Sequence, residues 1–294
     1  MTATTPAPIR IGDVTIHRIV EQEGSMFDVA QFFPGLTEEM LAPHRSWMEP
    51  RYFSGGKVNL CIQSYLVETP HHTIMVDTCV GNHKERPNRP FWHRMTSDRY
   101  ERNLAAAGFK VDDIDYVMCT HLHGDHVGWN TKLENGRWMP TFPNAKYLFS
   151  GVELQHWTDK HAVDAAGVPW ITDSVLPIVA ANRVELVKND HQLGDMVRLM
   201  PTPGHSFDHF SVEVGKPGAD AVITGDAIHS PIQTHYPELG MFSDYNQKQG
   251  GVSRRKLLER CCDSATVFCP AHFASPSVGR IKRAGEAFGF VEGV

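Results

Sequence analysis

Short runs in which apolar and polar residues alternate recur along the chain, with charged segments of longer period between them. Residues 9–20 alternate on either side of Gly12-Asp13, which predicts an opening hairpin. Residues 58–67 and 73–76 are rich in β-branched and aromatic side chains and predict two strands joined by a turn around Pro70. Residues 97–108 differ in character: a capping serine, charged residues, an alanine-rich interior and a closing glycine predict a helix. Residues 116–120 then predict a buried strand. Further strands are predicted at 146–149, 184–186, 197–200, 210–214, 221–224 and 266–269, and further helices at 151–157 and 253–262. The tail from Ser277 predicts a terminal helix with an irregular end. Strands and helices mix throughout without a linker or low-complexity run, so the expectation is one α/β domain spanning 1–294.

Two segments break the pattern. Residues 24–56 carry Phe, Met, Pro and Trp47, and residues 82–95 carry Pro87, Pro90, Phe91 and Trp92. Long irregular segments in compact domains serve as lids or binding loops, and they also cover core edges or meet a second copy in a homodimer. The pattern leaves these readings open.

Charge and cysteine content narrow the function. A net charge of −6 over 294 residues argues against nucleic acid and favours a small substrate. The polar start at 1–8 lacks the basic and apolar regions of a secretory signal, and no apolar run is long enough to span a membrane, so a cytoplasmic, membrane-free protein is expected. The six cysteines form no CxxC pair and lie in apolar runs, as reduced buried thiols do; the adjacent Cys261 and Cys262 are expected on a helix, pointing apart.

The densest chemistry follows the strand at 116–120. His121-Leu122-His123-Gly124-Asp125-His126 places three imidazoles and a carboxylate in six residues. Two histidines one residue apart can point the same way from an extended segment, and Asp125 and His126 can face a neighbouring position after the turn at Gly124. That spacing suits two metals better than one. His205, Asp226 and His272 each follow a predicted strand and stand beside glycine, proline or alanine, in Pro203-Gly204-His205, Gly225-Asp226 and Pro270-Ala271-His272. Strand ends in layered α/β structures converge on one rim.

With these residues the chain resembles the metallo-β-lactamase-fold superfamily of metallohydrolases. The H-x-H-x-D-H signature appears as His121, His123, Asp125 and His126, the later ligands match His205, Asp226 and His272 in order, and Asp77 matches the early supporting aspartate. The resemblance implies an αββα sandwich of two mixed sheets between helices. It implies that His121, His123 and His205 hold one divalent ion, that Asp125, His126 and His272 hold a second, and that Asp226 bridges them. Zinc suits such ligands; iron, manganese or cobalt use the same set. His209 matches a second histidine that orients the site in many relatives. For His229 and His235 a pocket wall and a solvated loop are equal readings, and His71, His72, His83 and His93 carry no ligand spacing.

The resemblance implies hydrolysis by a hydroxide shared between the metals, with Asp125 also catalytic, orienting the water and passing a proton to the leaving group. A bridging aspartate and the run Gly225-Asp226-Ala227-Ile228-His229-Ser230-Pro231 look most like the lactonase and methyl-parathion-hydrolase-like branch, so a lactone or small ester is the expected substrate. Phosphotriesterase, thioesterase and phosphodiesterase activities of the same fold are the alternatives, followed by a mononuclear iron persulfide-dioxygenase-like activity. Trp47, Phe91, Trp92, Trp129, Trp138 and Phe273 are read as either pocket wall or core. The tyrosine that some acyl-homoserine lactonases place between the ligands matching His205 and Asp226 is missing here, which sets their particular substrate apart.

Overall fold

The computed structural model describes residues 7–293, so the polar start at 1–8 lies outside the described residues except for Ala7 and Pro8. The chain divides into two compact units: one takes residues up to Gln22 together with Ile62–Lys188, the other Glu23–Cys61 together with the chain from Asn189 onward.

In the first unit the sheet runs in the spatial order Ile9–Ile11, Val14–Asp28 as far as Gln22, Lys57–Glu68 from Ile62, Thr73–Val76, Tyr116–Met118, Lys146–Ser150 and Val184–Val187. The opening hairpin is antiparallel, with Ile9 opposite Ile16 and Gly12 turning at φ +56. From Thr73–Val76 onward the strands are parallel, in the registers Val76 to Met118, Met118 to Leu148 and Leu186 to Phe149. Parallel neighbours need crossovers, and helices Arg99–Ala106 and Gly151–Val163 lie in them. Arg99–Ala106 buries Tyr100 and Leu104 one turn apart and ends where Gly108, at φ +93, donates to the Ala105 carbonyl. Because the strands point one way, their carboxyl ends share an edge, where ligands usually bind in open α/β sheets. Asp77 follows Val76 there, and the histidine run follows Met118. The sequence pattern did not predict the π-helical turn at Ile171–Val175 or the hairpin of Thr131–Glu134 with Arg137–Pro140. The hairpin turns on Asn135-Gly136, both at positive φ, the dipeptide that favours such turns.

The second unit holds a sheet in the order Gln192–Leu193, Val197–Pro201, Phe210–Lys216, Ala219–Ile223, Val267–Cys269, Gly279–Ala284 and Ala287–Glu292. Ala219–Ile223 and Val267–Cys269 are parallel with Ile223 opposite Cys269, so Asp226 and His272 each stand three residues past one register line. Pro201 pairs with Phe210 and Val212 with Ile223, which brings the loop carrying His205 to the same edge. Helix Gln247–Cys261 begins six residues before its expected start, capped by the Asn246 side chain. Its first turn packs against the loop that carries His205 so closely that Gly204, at φ +131, must be glycine: a Cβ there would lie 2.1 Å from the Gly250 nitrogen. Cys261 ends this helix, whereas Cys262 has left it in extended backbone. All six cysteines are free thiols.

The tail corrects the expectation of a terminal helix. Gly279–Ala284 and Ala287–Glu292 form an antiparallel hairpin with Ile281 opposite Phe290. Its Lys, Arg, Glu and Ala residues have helical propensity, but alternation lets Ile281 and Phe288 bury against Phe268, Leu257 and Leu258, and that packing outweighs propensity. Residues 24–56 complete the strand Val14–Asp28 and then form short turns at Val29–Phe32, Glu38–Leu41, Ala42–His44 and Arg45–Met48, burying Phe32, Phe33, Met48 and Phe53. Among the described residues no helix is long and apolar enough to cross a membrane.

Residues 82–95 are anchored by buried charge. Lys84 Nζ donates to Thr131 Oγ1 (2.7 Å) and the Asp173 carbonyl (3.2 Å) and sits 3.7 Å from the centre of the Trp138 ring. Arg86 grips both Asp173 oxygens at 2.7 and 2.9 Å. Burial pushes the Lys84 ammonium down from 10.5 to about 7, although Asp173 pulls the other way. Between those values the unfolded chain carries a proton that the folded chain lacks, so stability rises with pH across that window. Lys84→Met is expected to flatten that rise, seen by comparing denaturant unfolding of the two proteins from pH 7 to 10.5.

Candidate metal centre

In the first unit one carboxylate fixes two imidazoles. Asp77 sits at φ +58 with its N–H on the Met118 carbonyl (2.8 Å). Its Oδ1 accepts from the Thr120 N–H at 2.8 Å, and the Thr120 hydroxyl donates to the same carboxylate. Its Oδ2 lies 2.9 Å from His126 Nδ1, which places the ring proton on Nδ1 and the lone pair on Nε2. Because the Thr120 hydroxyl donates to Asp77, its oxygen accepts from His121 Nδ1 at 3.1 Å, which likewise puts the lone pair of His121 on Nε2. That Nε2 faces His123 Nδ1 at 2.9 Å. Asp125 is half-buried, its Oδ2 3.9 Å from His126 Nε2.

Neighbouring side chains hold the run in place. Trp170 donates its indole N–H to the Leu122 carbonyl (2.8 Å) and stacks under Gly124. Trp157, hydrogen-bonded to the buried Glu153, meets the His123 ring edge-on at 5.3 Å. On the other side Glu21 accepts from the N–H groups of Val80 and Gly81 and from the Trp129 indole, fixing the turn after Asp77. Burial raises Glu21 to about 7 against the pull of those three donors.

In the second unit Asp226 is the focus. Its Oδ2 lies 3.1 Å from His205 Nε2 and 3.0 Å from His229 Nε2, and its Oδ1 lies 2.9 Å from His272 Nε2. Each ligand candidate is fixed from behind: His205 Nδ1 on Asp244 Oδ1 at 2.8 Å, His272 Nδ1 on the Cys61 carbonyl at 3.0 Å. His209 is no ligand in this arrangement, because its Nε2 accepts from the Asp226 backbone N–H at 2.9 Å while Nδ1 meets Thr202. Helix Gln247–Cys261 secures the loops: Ser253 donates to the Pro203 carbonyl, and the buried Arg254 donates to the carbonyls of Ala227, Pro237 and Leu239.

This donor set fits a cation. The Cys61 carbonyl forces the proton of His272 onto Nδ1, so Nε2 and Asp226 Oδ1 would meet as two lone pairs at 2.9 Å unless positive charge lies between them. His205 reports the same demand. Burial opposes its charged form, yet Asp226 and Asp244 outweigh burial and raise it to about 9. A proton or a metal ion meets that demand, and buried nitrogen and oxygen donors with outer acceptors are the usual surroundings of a metal. Within this unit Asp226, His229 and His272 bring donor atoms within 4.8 Å of one another.

The aromatic residues weighed as pocket wall are largely engaged elsewhere. Trp129 stacks on Tyr100, Trp138 lies over Lys84, and Phe273 packs edge-on with Tyr52 and Phe290. His235 pairs with His44 beside Trp47. Sequence reasoning missed Asp244, Arg254, Glu21 and Glu153; the first three act on residues distant in sequence, and Glu153, although one helical turn from Trp157, gains its place at the site by accepting from the distant Leu122 N–H.

Residues 62–272 match the Lactamase_B family, the metallo-beta-lactamase superfamily. The chain belongs to the metallo-beta-lactamase superfamily. Like other metallo-beta-lactamase proteins that hydrolyse their substrates, it is a metal-dependent hydrolase and binds divalent metal. An N-acyl homoserine lactonase of Bacillus cereus is 26% identical over 227 residues, 73% of this chain and 82% of its own. The lactamase-like protein nscB of Arthroderma gypseum is 29% identical over 205 residues, 68% of this chain and 51% of its own. Two solved structures share the metallo-beta-lactamase fold over nearly the whole chain. The hydrolase AbOPH has a TM-score of 0.82 at 22% identity, covering 100% of this chain and 99% of its own. AidC, a dizinc quorum-quenching lactonase, has a TM-score of 0.80 at 19% identity, covering 98% and 97%.

Asp244→Asn removes the charge behind His205 while keeping an acceptor oxygen. Metal affinity is expected to fall by roughly 10-fold to 100-fold, measured by competition with a chromophoric chelator.

Proposed function

We propose that this chain opens a lactone ring or cleaves a small ester, with His121, His123 and His205 holding one divalent ion, Asp125, His126 and His272 a second, and Asp226 shared by both. The observation that carries the reading is the division of Asp226: Oδ2 faces His205 and Oδ1 faces His272, the posture of a carboxylate that serves two ions. The lactonase relatives support the substrate class. Zinc suits the mixed imidazole and carboxylate donors.

When bound, the two ions supply positive charge that lowers the pKa of a water and polarises an ester carbonyl. The chain's own residues do the rest. Asp77 and Asp244 hold the rings of His126 and His205 from behind so that each Nε2 stays directed, which keeps the centre preorganised through a turnover. Asp125, with its carboxylate partly open to solvent, takes a proton from the attacking water. As the carbon–oxygen bond of the lactone or ester breaks, Asp125 returns that proton to the leaving alkoxide. The absence of a net basic charge suits a neutral substrate.

Metal content of protein purified without added metal, measured with turnover of a lactone, an aryl ester, a phosphotriester, a thioester and a β-lactam, tests the reading. About two ions per chain with lactone or ester turnover is the expected result. Turnover confined to another of these substrates moves the assignment to that chemistry, and a single iron without hydrolysis replaces it with an oxygenase. Asp125→Asn and Asp226→Asn are each expected to cut turnover by orders of magnitude while far-ultraviolet circular dichroism stays unchanged.

A further inference from the structure

We infer that His229 is a positioning residue of the metal centre, donating from Nε2 to Asp226 Oδ2 and so fixing the orientation of the carboxylate shared by two ions. The inference rests on the ligand assignment proposed above and adds a residue to it.

His229 follows Asp226 by three residues and is buried. Its Nε2 lies 3.0 Å from Asp226 Oδ2, and a carboxylate only accepts, so the ring proton sits on Nε2. Nδ1 has no hydrogen-bond partner among the described residues, which leaves Asp226 as the polar contact that orients the ring. Packing removes the remaining freedom. The ring stacks on His272 at 5.5 Å with planes 11° apart, and Phe32 meets it edge-on at 5.7 Å. The backbone is pinned as well, because Gln233 Oε1 accepts from the N–H of His229 at 2.7 Å, and its amide donates to the Leu239 carbonyl. A loop histidine exposed to water would show none of these restraints.

The consequence concerns how Asp226 divides its oxygens. Oδ2 faces His205 and Oδ1 faces His272 only at one setting of the carboxylate plane. Rotation about the Cβ–Cγ bond would turn both oxygens away from the two imidazoles. A donor on Oδ2 resists that rotation, and hydrogen bonds to ligating carboxylates are a common means of tuning metal retention.

The test uses the full chain loaded with zinc. Loss of metal to a chromophoric chelator is followed for the natural protein, His229→Ala and His229→Gln, with thermal melting of the metal-free proteins as the control for folding. The alanine variant is expected to lose affinity by roughly 10-fold to 100-fold, and the glutamine variant, whose amide N–H can reach Oδ2, to recover most of it. Nitrogen-15 spectra of the zinc-loaded protein are expected to place the His229 proton on Nε2. Equal retention by natural protein and alanine variant overturns the inference alone, and so does a metal-shifted Nε2, which would make His229 a ligand. A natural protein that holds no zinc overturns the ligand assignment itself and the inference with it.

Discussion

The Nε2 atoms of His205 and His272 lie within 3.1 Å of the two oxygens of Asp226, in a buried site where lone pairs facing one another demand a cation. Much of the second unit serves to keep this arrangement in place. The parallel register of Ile223 with Cys269 sets Asp226 and His272 equally far beyond the sheet. The helix Gln247–Cys261 then clamps the loops, with Gly250 against Gly204 and Arg254 spending its donors on backbone carbonyls. A fully buried guanidinium is costly, and burial holds Arg254 below its ordinary value; three carbonyl acceptors and the nearby Asp244 are what make it tolerable.

The first unit solves the same problem with different parts. Parallel strands deliver Asp77 and the histidine run to one edge, and Asp77 then dictates the tautomer of His126 directly and of His121 through Thr120. Outer acceptors of this kind fix ring direction before any ion arrives, so little reorganisation is left for binding. The same economy appears in the aromatic residues: Trp129, Trp157 and Trp170 each give their indole N–H to a group that supports the turn or the ligand run. Their large faces pack, and their single polar atoms position.

The anchoring of residues 82–95 shows how a segment without regular structure can still be specified. Lys84, Arg86 and Asp173 pair in the interior, and the cost of burying them is offset by complementary charge and by hydrogen bonds to Thr131 and the Asp173 carbonyl. The π-helical turn that carries Asp173 follows Trp170, the residue that supports Leu122 within the histidine run.

The sequence by itself determined the strands with clear alternation or β-branched content, such as Thr73–Val76, and it named the ligand candidates, because dense histidines after a strand leave few other readings. It also held an unread signal in Asn135-Gly136. Local propensity misled at the tail, where Ile281 and Phe288 gain more from burial beside Phe268 than their neighbours gain from helix. Only tertiary structure decided which nitrogen of each candidate ligand carries the proton, that His209 holds the Asp226 backbone, that Asp244 lies behind His205 with Arg254 near it, and that His229 meets Asp226. A tautomer depends on the acceptor behind the ring, and Asp77 for His126, Asp244 for His205 and the Cys61 carbonyl for His272 all come from parts of the chain that meet the histidine only after folding.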